Sequence, residues 1–137
     1  GRLIYLMKIV WLGYFRVKKN NIYFAEELEP LFYLEDIIKK SPDLERWAQK
    51  TLQPVLNYDQ GKNFSLLVTL KILLLESENL HEAAAKLFIH KNTLMYRKQL
   101  IERLLGTNPF EKKSFFYSLA IYILLLSKPE LFLPSHP

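Results

Sequence analysis

The chain is 137 residues long, 50% apolar and 14% aromatic, with a formal net charge of +5 and no cysteine. That is the length of one domain, or of a small domain plus a piece of another, with ample apolar material for a core. The missing thiols exclude disulfides, thiolate metal sites and a cysteine nucleophile, and make a reducing, cytoplasmic compartment the default.

Only four glycines and seven prolines occur, so helices are favoured over a many-turned β fold. Gly1 in place of a methionine reads as the start of an excised fragment. The apolar opening from Leu3 to Phe15 is broken by Lys8 and lacks a small-residue cleavage site, so it suits neither a membrane span nor a signal peptide. Residues 3–18 instead predict a helix, with Ile4, Ile9, Leu12 and Phe15 near helical spacing and Arg2, Arg16, Lys18 and Lys19 outside them. Asn20-Asn21 marks a turn, and the residues near 22–25 predict one short strand or an extended linker. The stretch 30–40 predicts a helix. Ser41-Pro42-Asp43 then supplies a stop and a fresh start, with Ser41 as N-cap and Pro42 at the first helical position.

A helix over 42–57 places Leu44, Trp47, Leu52 and Val55 on its apolar side, with Pro54 ending or bending it. "YDQGKN", residues 58–63, is the clearest loop. The helix expected over 63–77 has one stripe of Leu66, Leu67, Leu70, Leu73 and Leu74, and a second of Val68, Ile72 and Leu75 roughly opposite. A helix apolar on both sides is buried on both sides, either at the centre of the domain or against a partner chain. The terminal helix, about 111–127, poses the same choice, and its run Phe115–Leu126 is too short for a membrane span.

Between these helices lies "NLHEAAAKLFIHKNTLMYRKQLIERLLG", residues 79–106. Asn79 and Glu82 predict an N-cap and capping box for a helix over Leu80–Leu87. Ala83, Ala84 and Ala85 let another helix approach closely, and Ile89 pins the break to the core. Asn92 is expected to cap a second helix that runs to Leu105 and stops at Gly106. Two helices joined by a short break, with a longer basic second helix, form the helix-turn-helix pattern, although Phe88 stands where its turn glycine would be. At roughly 100° per residue, Leu94, Ile101 and Leu105 share the core face. Asn92, Tyr96, Gln99 and Arg103 lie opposite, flanked by Thr93, Leu100 and Met95. Asn, Gln and Arg make bidentate contacts to base edges, while Tyr and Thr reach phosphates or a thymine methyl.

This segment resembles the C-terminal helix-turn-helix of the PucR/CdaR family of bacterial transcriptional regulators, above all in His90-Lys91-Asn92-Thr93-Leu94, Tyr96 and Arg97. The lead-in "LQPVLNYDQGKNFSLLVTL" and the stretch "IYFAEELEPLFYL" are similar to the family's preceding segments. The resemblance implies an all-α fold, a several-helix bundle around a helix-turn-helix at 79–106, within a domain over 41–130. It also implies that residues 1–40 are the tail of an upstream regulatory region or linker helices, followed at the far end by a flexible C-terminus, 131–137. The sequence departs from the family at His81, at Ala83, and at Lys98, where an apolar residue is usual. Lys98 therefore snorkels or swings toward phosphate.

The candidate DNA-binding residues are His90, Lys91, Asn92, Thr93, Met95, Tyr96, Arg97, Lys98, Gln99 and Arg103. His90 either donates to a phosphate or caps a helix end, and Arg97 pairs with Glu82 or with phosphate. Residues 81–106 carry five bases against Glu82 and Glu102, which suits a polyanion. The alternative is a helical dimerisation or protein-interaction module that binds an acidic partner. RNA is a poorer match, with Tyr96 the one exposed aromatic platform. His81, His90 and His136 have no metal-ligand spacing, His-Glu-Ala-Ala-Ala lacks the second histidine of a metalloprotease, and no catalytic arrangement is visible. The expectation is therefore a non-enzymatic domain without cofactor or metal, off the membrane, dimeric or larger on double-stranded DNA, with any small-molecule effector bound outside this fragment.

Overall fold

The computed structural model describes residues 25–133, all of whose regular elements are helical. In chain order, α1 spans Ala25–Lys40, α2 Pro42–Asp59, and α3 Leu66–Lys71, which runs on into a π turn over Ile72–Glu76. Then come α4 (Leu80–Leu87), α5 (Lys91–Leu105), α6 (Ser114–Ser127) and a 3-10 turn at Pro129–Phe132. The helix expected over 3–18, the turn at 20–21, residues 22–24 of the expected strand and residues 134–137 lie outside the described residues. Ala25, the last residue of that strand, begins α1 instead.

Several expected boundaries shift for local reasons. α2 passes through Pro54 and ends at Asp59, so Tyr58 and Asp59 are helical and the loop begins at Gln60. The carbonyl that Pro54 leaves without a donor belongs to Lys50, an exposed residue. Pro42 does open α2, but the Ser41 side chain makes no capping bond; the Ser41 carbonyl accepts from Leu44 N at 3.0 Å. α3 starts at Leu66 rather than at 63 because its free N–H groups are met there. Asp59 accepts from Leu66 N at 2.7 Å and Leu67 N at 3.0 Å, and Ser65 Oγ accepts from Val68 N at 3.1 Å. α6 starts at Ser114 rather than 111.

Two apolar clusters organise the molecule. The larger joins Leu52 and Val55 of α2, Leu66, Leu67 and Leu70 of α3, Ile101 of α5, and Ile121, Ile123 and Leu124 of α6. The smaller joins Ile72, Ala83, Ala84 and Leu94, with Val68, Leu73, Leu80, Leu87 and Ile89 around them. α3 and its π turn belong to both, which is why the stretch is apolar all round: Leu66, Leu67 and Leu70 enter the larger cluster, and Val68, Ile72 and Leu73 the smaller. Its C-terminal end also holds a buried ion pair, Lys71 Nζ to Glu76 Oε2 at 2.7 Å, with both side chains 7% exposed. The π turn adds a residue to the helical repeat and brings position i+5 over position i. α6 holds the apolar run Phe115–Leu126, and no helix among the described residues is long and apolar enough to cross a membrane.

Candidate nucleic-acid interface

α4 opens on Asn79, whose side-chain oxygen accepts from Glu82 N at 2.8 Å. The reciprocal half of the capping box falls one residue early. Glu82 accepts from Glu78 N at 3.3 Å rather than from Asn79 N. Glu82 also pairs with Lys86 at 3.2 Å, and Lys86 reaches the Glu76 carbonyl as well. The Glu78 N–H first, and Lys86 second, hold the Glu82 carboxyl below the usual carboxylate range. Ala83 and Ala84 are buried, so α5 lies directly on them.

The break follows a Schellman pattern: Ile89 N donates to Ala84 O at 3.1 Å and Phe88 N to Ala85 O at 3.2 Å. Ile89 turns inward onto the small cluster, as its apolar character in the break leads one to expect. The cap of α5 is not Asn92. The helix begins at Lys91, and His90 Nδ1 accepts from Asn92 N at 3.0 Å. Asn92 already lies inside the first turn, where its own N–H needs a partner, and the imidazole two residues back supplies it. The consequence favours contact: the Asn92 side chain is exposed and unused by the cap. At the far end Gly106 adopts φ 70° and closes the helix on Glu102 O and Arg103 O, as expected.

Along α5, Leu94 and Ile101 are fully buried and Leu105 is half-buried. His90, Lys91, Asn92, Thr93, Tyr96, Gln99 and Arg103 are all exposed, on the side away from that core. The arrangement is a capped basic helix, propped on a short helix by small residues, with a polar outer face.

Residues 66–123 match the family model described as the PucR C-terminal helix-turn-helix domain. That span runs from the first residue of α3 into α6 and takes in both halves of the corner. These residues are thus similar to the PucR C-terminal helix-turn-helix domain. Two Bacillus subtilis (strain 168) proteins are similar. A purine catabolism regulatory protein is 33% identical over 86 residues, covering 63% of this chain and 15% of that protein. The proline-responsive transcriptional activator PutR is 44% identical over 71 residues, covering 51% of this chain and 17% of its own length. The chain thus spans less than a fifth of either relative. No solved structure matches it.

Three other candidate residues sit apart from the exposed face of α5. Met95, Arg97 and Lys98 are half-buried. The Arg97 guanidinium lies over the Phe64 ring, 4.2 Å from its centroid, while Glu82 is taken by Lys86. Lys98 Nζ stands 4.9 Å from the centroid of Phe110, so the lysine that least fits the family's apolar pattern covers an aromatic ring with its head group. Phe64 lies far before α5 in sequence and Phe110 just beyond its C-terminal end, and no periodicity in 91–105 points to either. One further residue escaped the sequence-based list. Phe88, at the position of the absent turn glycine, is 94% exposed and adopts φ 57°, ψ 41°. Its signal was present: a large apolar residue where the turn asks for glycine.

Proposed function

We propose that this helix-turn-helix domain reads DNA sequence with α5 in the major groove, as part of a cytoplasmic bacterial transcriptional regulator. The observation that carries the proposal is the row of exposed side chains on one side of a rigidly capped helix: Asn92, Thr93, Tyr96, Gln99 and Arg103, with His90 and Lys91 at the corner. Asn92, Gln99 and Arg103 have the paired donors and acceptors that match base edges. With Nδ1 of His90 used as an acceptor, the neutral ring carries its proton on Nε2, which points a donor outward for phosphate beside Lys91. Thr93 and Tyr96 suit a phosphate or a thymine methyl. Met95, Arg97 and Lys98 flank the face, the two cations within reach of the backbone if they leave their aromatic partners.

One recognition helix spans only a few base pairs, so a homodimer on two half-sites about one helical turn apart completes the reading. Phe115 and Phe116, 67% and 54% exposed and stacked edge-to-face, are the best available surface on α6 for that pairing. Residues 41–130 form the DNA-binding unit in this scheme, with α1 packed on it through Ile38, and effector sensing lies upstream. The names of the relatives support a regulatory role, one for purine catabolism and one responsive to proline. The test is selection of bound duplexes from a random pool, followed by salt titration of wild type, Tyr96→Ala and Arg103→Ala on the enriched sequence. Enrichment of a defined sequence that both variants lose supports the proposal. Equal binding by all three, or equal binding to an acidic polymer such as heparin, removes it in favour of an acidic-partner module.

A further inference from the structure

We propose that Phe88 is a DNA-contacting residue whose ring packs on an apolar edge of the duplex, a deoxyribose or a thymine methyl, at the flank of the site read by α5. The inference rests on the DNA-reading function above and adds to it an apolar contact from the turn itself.

Two properties of Phe88 are unfavourable within the chain. Its backbone is left-handed, φ 57° and ψ 41°, a conformation that a Schellman corner ordinarily gives to glycine. It is the one non-glycine residue with positive φ among the described residues. Its ring is 94% exposed, so the fold gains nothing from its apolar surface. Glycine at this position would relieve the strain and remove the exposed ring together. An arrangement that costs the fold twice points to a contact outside it.

Its place in the corner says what that contact is. Phe88 stands three residues before Lys91, the first residue of α5, so their Cα atoms are at most about 11 Å apart. It is thus continuous with His90 and Lys91, which begin the polar face. The corner also holds the ring firmly. Ile89 is anchored in the small cluster, His90 caps α5, and the Phe88 and Ile89 N–H groups close α4, so the side chain between them projects from a fixed backbone. The seven exposed residues of the face are hydrogen-bonding or charged, apart from the Tyr96 ring and the Thr93 methyl. The duplex also presents methyl groups and sugars, which an apolar ring matches.

The experiment uses the whole 137-residue chain and a duplex enriched from a random pool by the wild type. Phe88→Gly removes the ring and suits the left-handed backbone, and Phe88→Ala removes the ring but keeps the strain. Both are expected to weaken binding about tenfold, the scale of one aromatic contact to DNA, and to leave the salt slope unchanged, because no charge is removed. The melting temperature of Phe88→Gly is expected to equal or exceed that of wild type, so lost affinity is not lost folding. Uracil in place of thymine at the flank identifies the edge: a methyl contact weakens wild type but not Phe88→Gly, and a sugar contact weakens neither. Wild-type affinity in Phe88→Gly overturns the proposal, whatever Phe88→Ala does, and leaves DNA reading by α5 intact. If wild type enriches no sequence, the DNA-reading function itself fails and takes this inference with it.

Discussion

At His90 a single ring has two separable uses. Nδ1 accepts the free N–H of Asn92, which leaves Nε2 as the nitrogen available for an outside contact at this exposed residue. Removing the ring with His90→Ala is expected to lower stability by about 1 kcal/mol, the usual scale of a lost N-cap, measured by denaturant titration. His90→Asn restores a capping side chain but not a donor at the imidazole's reach. It is expected to recover the stability while leaving DNA affinity reduced; recovery of both would mean that the imidazole only caps. Arg103 is a cleaner case because its side chain is exposed and makes no cap bond. Arg103→Ala is expected to cost about 1–3 kcal/mol on the preferred sequence and to relax preference at one base position. Lys91→Ala is instead expected to weaken binding to all sequences alike and to reduce the salt slope by about one. Identical behaviour of the two variants in salt titrations on specific and random duplexes would remove the division into base reader and phosphate contact.

Helix ends separate what was legible in the sequence from what was not. Asn79 and Gly106 were legible because a cap is a bond between residues three or four apart, announced by the asparagine's side-chain oxygen and by the glycine's freedom to take a positive φ. The cap of α5 was not, since His90 and Asn92 stand two residues apart and either can accept an N–H; only the start of the helix at Lys91 decides between them. The Lys71–Glu76 pair was hidden for a different reason. An α-helical wheel puts i and i+5 on different sides, and the π turn that unites them has no simple sequence sign. Breaking that pair with Lys71→Met is expected to cost about 3–5 kcal/mol, because Glu76 stays buried without a counter-charge. Lys71→Met with Glu76→Leu should recover most of it, read from urea midpoints. A double variant no more stable than the single one would show that the turn, not the uncompensated charge, is at stake. On α4, Glu82 is held below its ordinary value of 4.5 by the Glu78 N–H and Lys86. The folded state therefore binds fewer protons at this group than the unfolded chain, so its contribution is present above pH 4.5 and is lost as pH falls through the lowered value. Glu82→Gln is expected to remove that part of the acid sensitivity. An unchanged difference between wild type and variant from neutral to acid pH would refute the assignment.

Across the whole molecule, the helix-turn-helix packs on a core of four buried residues among those described, Ile72, Ala83, Ala84 and Leu94. Two of these are alanines, whose burial contributes little compared with a leucine or isoleucine. So small a cluster is not expected to hold a recognition helix in place by itself. It is held because α3 and α5 each enter both clusters, α3 through Leu70 on one side and Val68 on the other, with Ile72 of the π turn beside it, and α5 through Ile101 and Leu94. The polar face of α5 is therefore oriented by residues at the opposite end of the same helix, packed near Leu124 of α6 and Leu52 of α2. Joining the clusters in this way makes the corner and the bundle unfold together. Leu94→Ala in the small cluster and Leu124→Ala in the large one are each expected to cost about 2–5 kcal/mol. Each should lower amide-exchange protection in both α5 and α6 by the full amount of its destabilisation, because shared helices leave no cheaper partial opening. Hydrogen exchange read residue by residue checks this. If Leu94→Ala loosens α4 and α5 while protection in α6 stays at the wild-type level, the corner is an independent unit, and its orientation on DNA would then be set by the duplex rather than by the bundle.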